Sequence, residues 1–317
     1  MRFNLPIIDH LESCNNILIA GMGGGFDVFC GLPIYFKLKN SKKDVHLANF
    51  SFSDVSNFSK GLRLSETLVG VDSEYDDLIF NFPEIHLSRW FKEKRNEDVT
   101  IWCFQKTGTD PLLDNYKLLI EHLNIDTILL IDGGVDSLVT GDEAEVGTII
   151  EDATSLFVLN ELDELKTRLL CCAGFGAERD ITYSQILENI AVLFREGGFL
   201  GTCSLAPQME VYKEYEDAVL FVQDQDYQDP SIINSSIISA VHGHFGNYHL
   251  TEKSKGSKLW ISPLMALYWF FDLQAVAKQN KFLETLRGTK TFIDAFKSFT
   301  LFVNKIKSRS ISKIPLT

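Results

Sequence analysis

Carboxylates crowd one stretch of this chain. Ile131-Asp132-Gly133-Gly134-Val135-Asp136-Ser137 is followed by Thr140-Gly141-Asp142-Glu143-Ala144-Glu145 and then by Glu151-Asp152. Oxygen ligands in a glycine-permissive loop suit a divalent cation such as Mg²⁺, Mn²⁺ or Ca²⁺. Asp132, Asp136 and Asp142 are therefore candidate metal ligands, and Asp132 and Asp136 are also candidates for acid–base work. The spacing is not that of an EF-hand. The same acids have a purely structural use, because Asp142 can cap the next helix while Glu143 and Glu145 suit its first turn.

A second constellation is Gly21-Met22-Gly23-Gly24-Gly25-Phe26-Asp27, directly after the apolar run Ile17-Leu18-Ile19-Ala20. A strand that ends in glycines before a helix exposes backbone N–H groups where the helix dipole favours an anion. Gly21, Gly23, Gly24, Gly25 and Asp27 are thus candidates for holding a phosphate or carboxylate; the structural alternative is a tight turn that lets helix and strand approach. Gly21 and Gly23 partly fit Gly-x-Gly-x-x-Gly, but Phe26 stands at the third glycine. The next strand ends Asn49-Phe50-Ser51, without the acid that would hold a ribose, which weighs against nicotinamide, flavin and methyl-donor sites. No Lys-Ser or Lys-Thr follows, so this is not a P-loop. Ser51, Gly133 and Gly134 belong to the same expected ligand-facing rim.

Two further clusters complete the candidates. Gly174-Phe175-Gly176-Ala177-Glu178-Arg179-Asp180 again joins a glycine turn to acids. Gly174 is expected to face the ligand and Glu178 to act on it, while Asp180 can cap the following helix. His242-Gly243-His244-Phe245-Gly246-Asn247-Tyr248-His249 holds three of the seven histidines. Such a run can bind a metal or offer one ring to a cleft, and His244 is the candidate. There is no Gly-x-Ser-x-Gly elbow.

These residues must be positioned by strands alternating with helices. Continuous apolar runs at 16–20, 44–50, 99–104, 127–131, 168–173 and 199–204 read as buried strands, and helical segments fall near 7–14, 26–39, 84–94, 110–123, 143–162, 182–195, 207–223 and 230–241. This pattern predicts an α/β fold: a Rossmann-like, doubly wound, mostly parallel sheet of about six strands covered on both faces. A seventh strand at 258–261 is conceivable, with a helical C-terminal cap over 263–317 on a single α/β domain spanning 1–317, whose sheet and covering helices occupy 1–262. The polar stretch 51–83 is long for a structureless loop, so it is either functional (a lid) or partly helical. The basic tail Lys305 to Lys313 reads as a frayed terminus. In such sheets ligands sit beyond the C-terminal strand ends, which gathers all the glycine and acid clusters on one rim.

Composition narrows the classes. The 317 residues carry a net charge of −13 with 45% apolar content. Neither a general nucleic-acid binder nor an anionic membrane surface as partner suits that balance. The six cysteines form no Cys-x-x-Cys pair, there is no basic, apolar leader, and Leu259 to Val276 is short and holds Asp272, so a cytoplasmic location without a membrane span is expected. A chain of this size is compatible with homo-oligomerisation, but no stretch marks an interface.

Taken together, Gly21–Asp27, Asp132–Ser137 with Gly141-Asp142-Glu143, and Gly243-His244-Phe245-Gly246 with Ser262-Pro263-Leu264-Met265 resemble the domain-of-unknown-function family number 1152. The resemblance covers most of the chain with its motifs in order. It implies a single α/β domain, found mainly in archaeal and bacterial proteins, and carries no established activity. The expected function is an enzyme for a small phosphorylated or nucleotide-like ligand, a hydrolase or group transferase with possible help from Mg²⁺ or Mn²⁺. The alternatives are a non-catalytic nucleotide or metabolite sensor, and an NAD(P)-dependent oxidoreductase.

Overall fold

The computed structural model describes residues 5–76, 79–147 and 149–312. Among these, nine strands form one mixed sheet: β1 (Asn16–Gly21), β2 (Asp44–Phe50), β3 (Leu62–Ser65), β4 (Leu68–Val71), β5 (Ile101–Phe104), β6 (Thr127–Gly133), β7 (Thr167–Ala173), β8 (Phe199–Ser204) and β9 (Leu267–Asp272). Their order is β3-β4-β5-β2-β1-β6-β7-β9-β8. The central run from β5 to β7 is parallel, whereas β4 pairs antiparallel with β5, and β9 with both β7 and β8.

The helices are α1 (Pro6–Ser13), α2 (Asp27–Cys30), α3 (Leu32–Asn40), α4 (Pro83–Trp90), α5 (Thr109–Leu123), α6 (Ile150–Asn160), α7 (Tyr183–Glu196), α8 (Glu210–Gln223), α9 (Ile232–Val241), α10 (Leu273–Gln279) and α11 (Phe292–Val303). The apolar runs of the strands are explained by cover on both faces. On β1, Ile17 and Ile19 pack with α3 and α8 on one side, while Leu18 and Ala20 join α5 and α6 on the other.

Several expectations change. The sheet has nine strands rather than about six. The polar stretch after β2 contains the hairpin β3–β4, whose four-residue strands are too short for alternation to stand out; residues 77–78 of that stretch lie outside the described residues. The expected seventh strand at 258–261 contributes one bridge, Ile261 to Gly246. The expected helical cap from 263 begins instead with a short 3₁₀ turn and β9, which enters the sheet between β7 and β8; only from Leu273 onward is the segment helical. Leu-Tyr-Trp-Phe-Phe-Asp is a continuous aromatic run, and such a short run has no period to separate strand from helix. The helix expected from 143 starts at Ile150, because Glu143 is drawn inward to accept from Thr140 N (3.0 Å) and Gly141 N (2.8 Å). Among the described residues no helix is long and apolar enough to cross a membrane.

Candidate functional site

The sheet reverses its order of construction between β1 and β6. The chain builds outward from β1 through β2 to β5, then returns to lay β6 on β1's other side. The turns leaving these two strands must therefore diverge, and a crevice opens between them. Both turns are glycine-rich, and Met22 N donates to Ile131 O (3.0 Å) where they part.

A cleft of about 290 Å³ lies there, lined by Gly23, Gly24, Gly25, Asp27, Asp132, Gly133, Asp136 and Glu178 among the expected residues. It is also lined by Glu151, Asp152 and Asp229, so seven carboxylates face one cavity whose lining contains no lysine or arginine. Asp132 ends β6, Asp136 opens the short turn that follows, Asp152 lies in the first turn of α6, and Glu178 follows β7. Ser155 Oγ, one turn further along α6, donates to Met22 O (3.0 Å) and so ties that helix to the β1 turn.

The acids divide by what already holds them. Asp27 Oδ2 accepts from Gly23 N at 2.6 Å, so the first amide of the glycine turn serves the chain's own carboxylate. Asp132 Oδ2 accepts from Ser137 N (3.1 Å) and from Ser137 Oγ. Glu178 Oε2 accepts from Val135 N (2.9 Å). Asp152 differs: it is 4% exposed, and its Oδ1 is buried without a hydrogen-bond partner. One oxygen each from Asp132, Asp136 and Asp152 lies within 4.8 Å of the other two.

Such crowding is costly when every acid is ionised. At this separation each pair repels by roughly 3 kcal/mol in an effective dielectric near 20. Burial, and then the neighbouring acids, push Asp27, Asp136, Asp152 and Glu178 well above the ordinary carboxylate range. Burial also raises Asp132 to about 6, although its bonds from Ser137 work the other way. Burial and mutual repulsion therefore favour the protonated forms of these acids.

The glycines are needed for close approach. A Cβ on Gly23 would stand 2.8 Å from both Asp152 carboxylate oxygens and from Asp27 Oδ2. At Gly24, φ is +98° and a Cβ would lie 2.4 Å from the Phe52 ring.

Other expected residues lie elsewhere. Gly21 is enclosed behind the turn, against Asn49 and the Val28 backbone. Ser51 is buried, its Oγ accepting from Ser53 N (3.2 Å). Gly134 backs onto the Glu178 carboxylate, and Gly174 onto Ile233 and Ile237. His244 stacks on Tyr248, with ring centroids 3.6 Å apart, and is not in the cleft lining. Asp142 is turned away into ion pairs with Lys281 and Arg309. Burial opposes ionisation there, but Lys281 and then Thr140 hold Asp142 below its ordinary value.

Asp152, Glu151, Phe52, Asn81 and the segment 229–231 also line the cleft and are not among the candidates named from the sequence. Glu151 and Asp152 were visible in the acid-rich run, yet first-turn acids have a capping use and carry no mark of burial. An acid behind the end of β2 was also hidden. Glu84 of α4 is fully buried, accepts from Asn49 Nδ2 (2.8 Å), and is raised by burial to about 7.

In comparisons with known proteins, a family model described as Protein of unknown function (DUF1152) matches residues 87–302, more than half of the chain. The match includes Asp132, Asp136, Asp152 and Glu178 and leaves the glycine turn after β1 outside. No curated protein and no solved structure matches.

Proposed function

The chain belongs to the DUF1152 family, and we propose that its cleft binds a divalent cation, Mg²⁺ or Mn²⁺, and uses it to hold a small phosphorylated or nucleotide-like ligand for hydrolysis or group transfer. One observation carries this reading. Asp132, Asp136 and Asp152, from three separate elements, converge to within 4.8 Å with Asp152 Oδ1 buried and unpaired. Oxygen donors about 2.1 Å from a metal lie up to about 4.2 Å apart across it, so a small inward shift of these side chains makes an Mg²⁺ or Mn²⁺ site. The purely oxygen set suits hard cations. We read the central strand order, β5-β2-β1-β6-β7, as a Rossmann-like, doubly wound arrangement, in which the switch point is the place for a ligand.

In this reading the phosphate is held through the metal rather than by the glycine turn alone, since Gly23 N is committed to Asp27. The metal would offset the carboxylate charge that otherwise repels an anion. Glu178, oriented by Val135 N and raised by burial, would in this reading exchange a proton with the reacting group. His244 has no part. The setting we propose is the cytoplasm, in keeping with six cysteines that are all free.

The test is Mn²⁺ titration of the purified chain, followed by electron paramagnetic resonance and calorimetry. Saturable binding that falls at least tenfold in Asp152→Asn and Asp136→Asn, and not in Asp142→Asn, is expected. Wild-type protein that leaves Mn²⁺ free at millimolar concentration overturns the proposal. NAD(P) in the same titration, binding without metal, would favour the oxidoreductase instead.

A further inference from the structure

The mouth of the cleft carries an aromatic ring that the core does not require. Phe52, just after β2, is 51% exposed. Its ring lies across Gly24 and Gly25, where any Cβ would collide with it. Lys106, just after β5, sits with Nζ 4.9 Å from the Phe52 ring centroid and 4.4 Å from that of Phe292, and is ion-paired with Glu151 of the cleft. An exposed aromatic and a cation thus stand together on the rim of an otherwise anionic cavity. Cation–π contact keeps the ammonium at this edge, and the bond to Glu151 points it inward.

We propose that Phe52 and Lys106 form the recognition edge of the site and that its ligand is a nucleotide, whose base takes the place of the Lys106 ammonium on the Phe52 ring while Lys106 turns to a phosphate that it shares with the metal. This rests on the metal reading above and narrows it, because sugar phosphates and inorganic phosphates have no planar group to stack. The spacing agrees. Gly23 touches the Asp27 and Asp152 carboxylates, and its neighbour Gly24 touches Phe52. Consecutive Cα atoms are about 3.8 Å apart, so ring and carboxylates lie within roughly 12 Å of each other, inside the reach of one nucleotide. Stacking on an aromatic side chain tolerates any base, so the edge selects the class of ligand and not the base. The same lining holds Asn81, whose Oδ1 accepts from Asp229 N (3.2 Å).

The experiment is calorimetry of the full chain with saturating Mn²⁺, titrated with ADP, UDP, ribose 5-phosphate and inorganic pyrophosphate. At least one nucleotide should bind about tenfold or more tightly than ribose 5-phosphate. Phe52→Ala should erase that preference, costing the nucleotide more than it costs pyrophosphate, and Phe52→Trp should keep it. Lys106→Gln should weaken nucleotide and pyrophosphate alike by several-fold. Mn²⁺ affinity, read separately without nucleotide, should survive all three substitutions, which also reports that the variants fold. A ribose 5-phosphate affinity equal to the nucleotides', or a nucleotide preference that survives Phe52→Ala, overturns this inference while Mn²⁺ binding leaves the metal reading standing. Absence of Mn²⁺ binding overturns both.

Discussion

At the scale of single residues, the chemistry of this protein is a problem of too many protons in one place. Asp27, Asp136, Asp152 and Glu178 are held well above the carboxylate range by burial and by each other, and Asp132 and Glu84 are raised to about 6 and about 7. In the unfolded chain the same groups titrate near 4. Between those limits the folded state binds more protons than the unfolded state, so stability falls as pH rises. We therefore expect the melting temperature in EDTA to drop steadily from pH 5 to pH 8. Mn²⁺ should reverse the drop at pH 8, because a cation stabilises the ionised acids of the folded state alone. A melting temperature that is flat or rises over this range would contradict the account. Glu84→Gln should remove part of the slope without altering Mn²⁺ affinity, since Glu84 lies behind β2 and outside the cleft lining. Gly23→Ala places a methyl group 2.8 Å from both Asp152 oxygens, and should weaken Mn²⁺ binding at least tenfold in calorimetry with near-native circular dichroism. Asp132, Asp136 and Glu178 could be picked out in the sequence because each lies close beyond an apolar run and beside glycines. Asp152 could not, because what sets it apart is an unpaired buried oxygen, and that is a property of three elements meeting.

At the scale of elements, the parallel core and the edge strand β8 were legible, and the hairpin β3–β4 and strand β9 were not. Parallel strands buried on both faces are apolar runs between helices, and β1, β2, β5, β6 and β7 announce themselves in this way. The hairpin β3–β4 and the inserted strand β9 are held by their neighbours' backbones, so their own sequence carries little period. The C-terminal tail shows the same limit. Its basic residues suggested fraying, yet Arg309 donates to Glu143 Oε1 (2.8 Å) and Asn189 Oδ1 (2.5 Å), while its backbone N donates to Asp142 O (2.8 Å). Glu143 has no exposed side-chain surface, and Arg309 keeps 29%. Losing the guanidinium leaves a buried carboxylate still bonded to Thr140, Gly141 and Asn189, so the cost is that of one charged hydrogen-bond partner. We expect Arg309→Ala to lower stability by about 1–3 kcal/mol in urea unfolding. Arg309→Lys should recover only part of it, since an ammonium cannot reach two acceptors with the same fork. An unchanged urea midpoint would show that the tail does not bear on the 140–143 loop.

At the scale of the whole molecule, the sheet and its covering helices form a packed body with the acids gathered at one end. Helices cover both faces, and the cores on the two sides are continuous along the strands. The segments bearing the acids are the exits of β1, β6 and β7 and the entry to α6, all at the same end of the parallel strands. Among the described residues, the cleft at that end is lined by seven carboxylates without lysine or arginine, and glycine turns border it. A cation entering this end should therefore tighten the rim without rearranging the sheet. Hydrogen–deuterium exchange with and without Mn²⁺ tests this. Amides in 22–27, 132–137, 149–153 and 174–178 should gain protection, because their side chains or turns would then share one ion. The edge hairpin β3–β4 and helix α1, at the margins of the sheet, should exchange at the same rate in both states. Protection spread over the central strands, or confined to the tail and the 140–147 loop, would mean that the ion acts on global stability or at another site, and the rim would lose its claim to be the place where this fold meets its ligand.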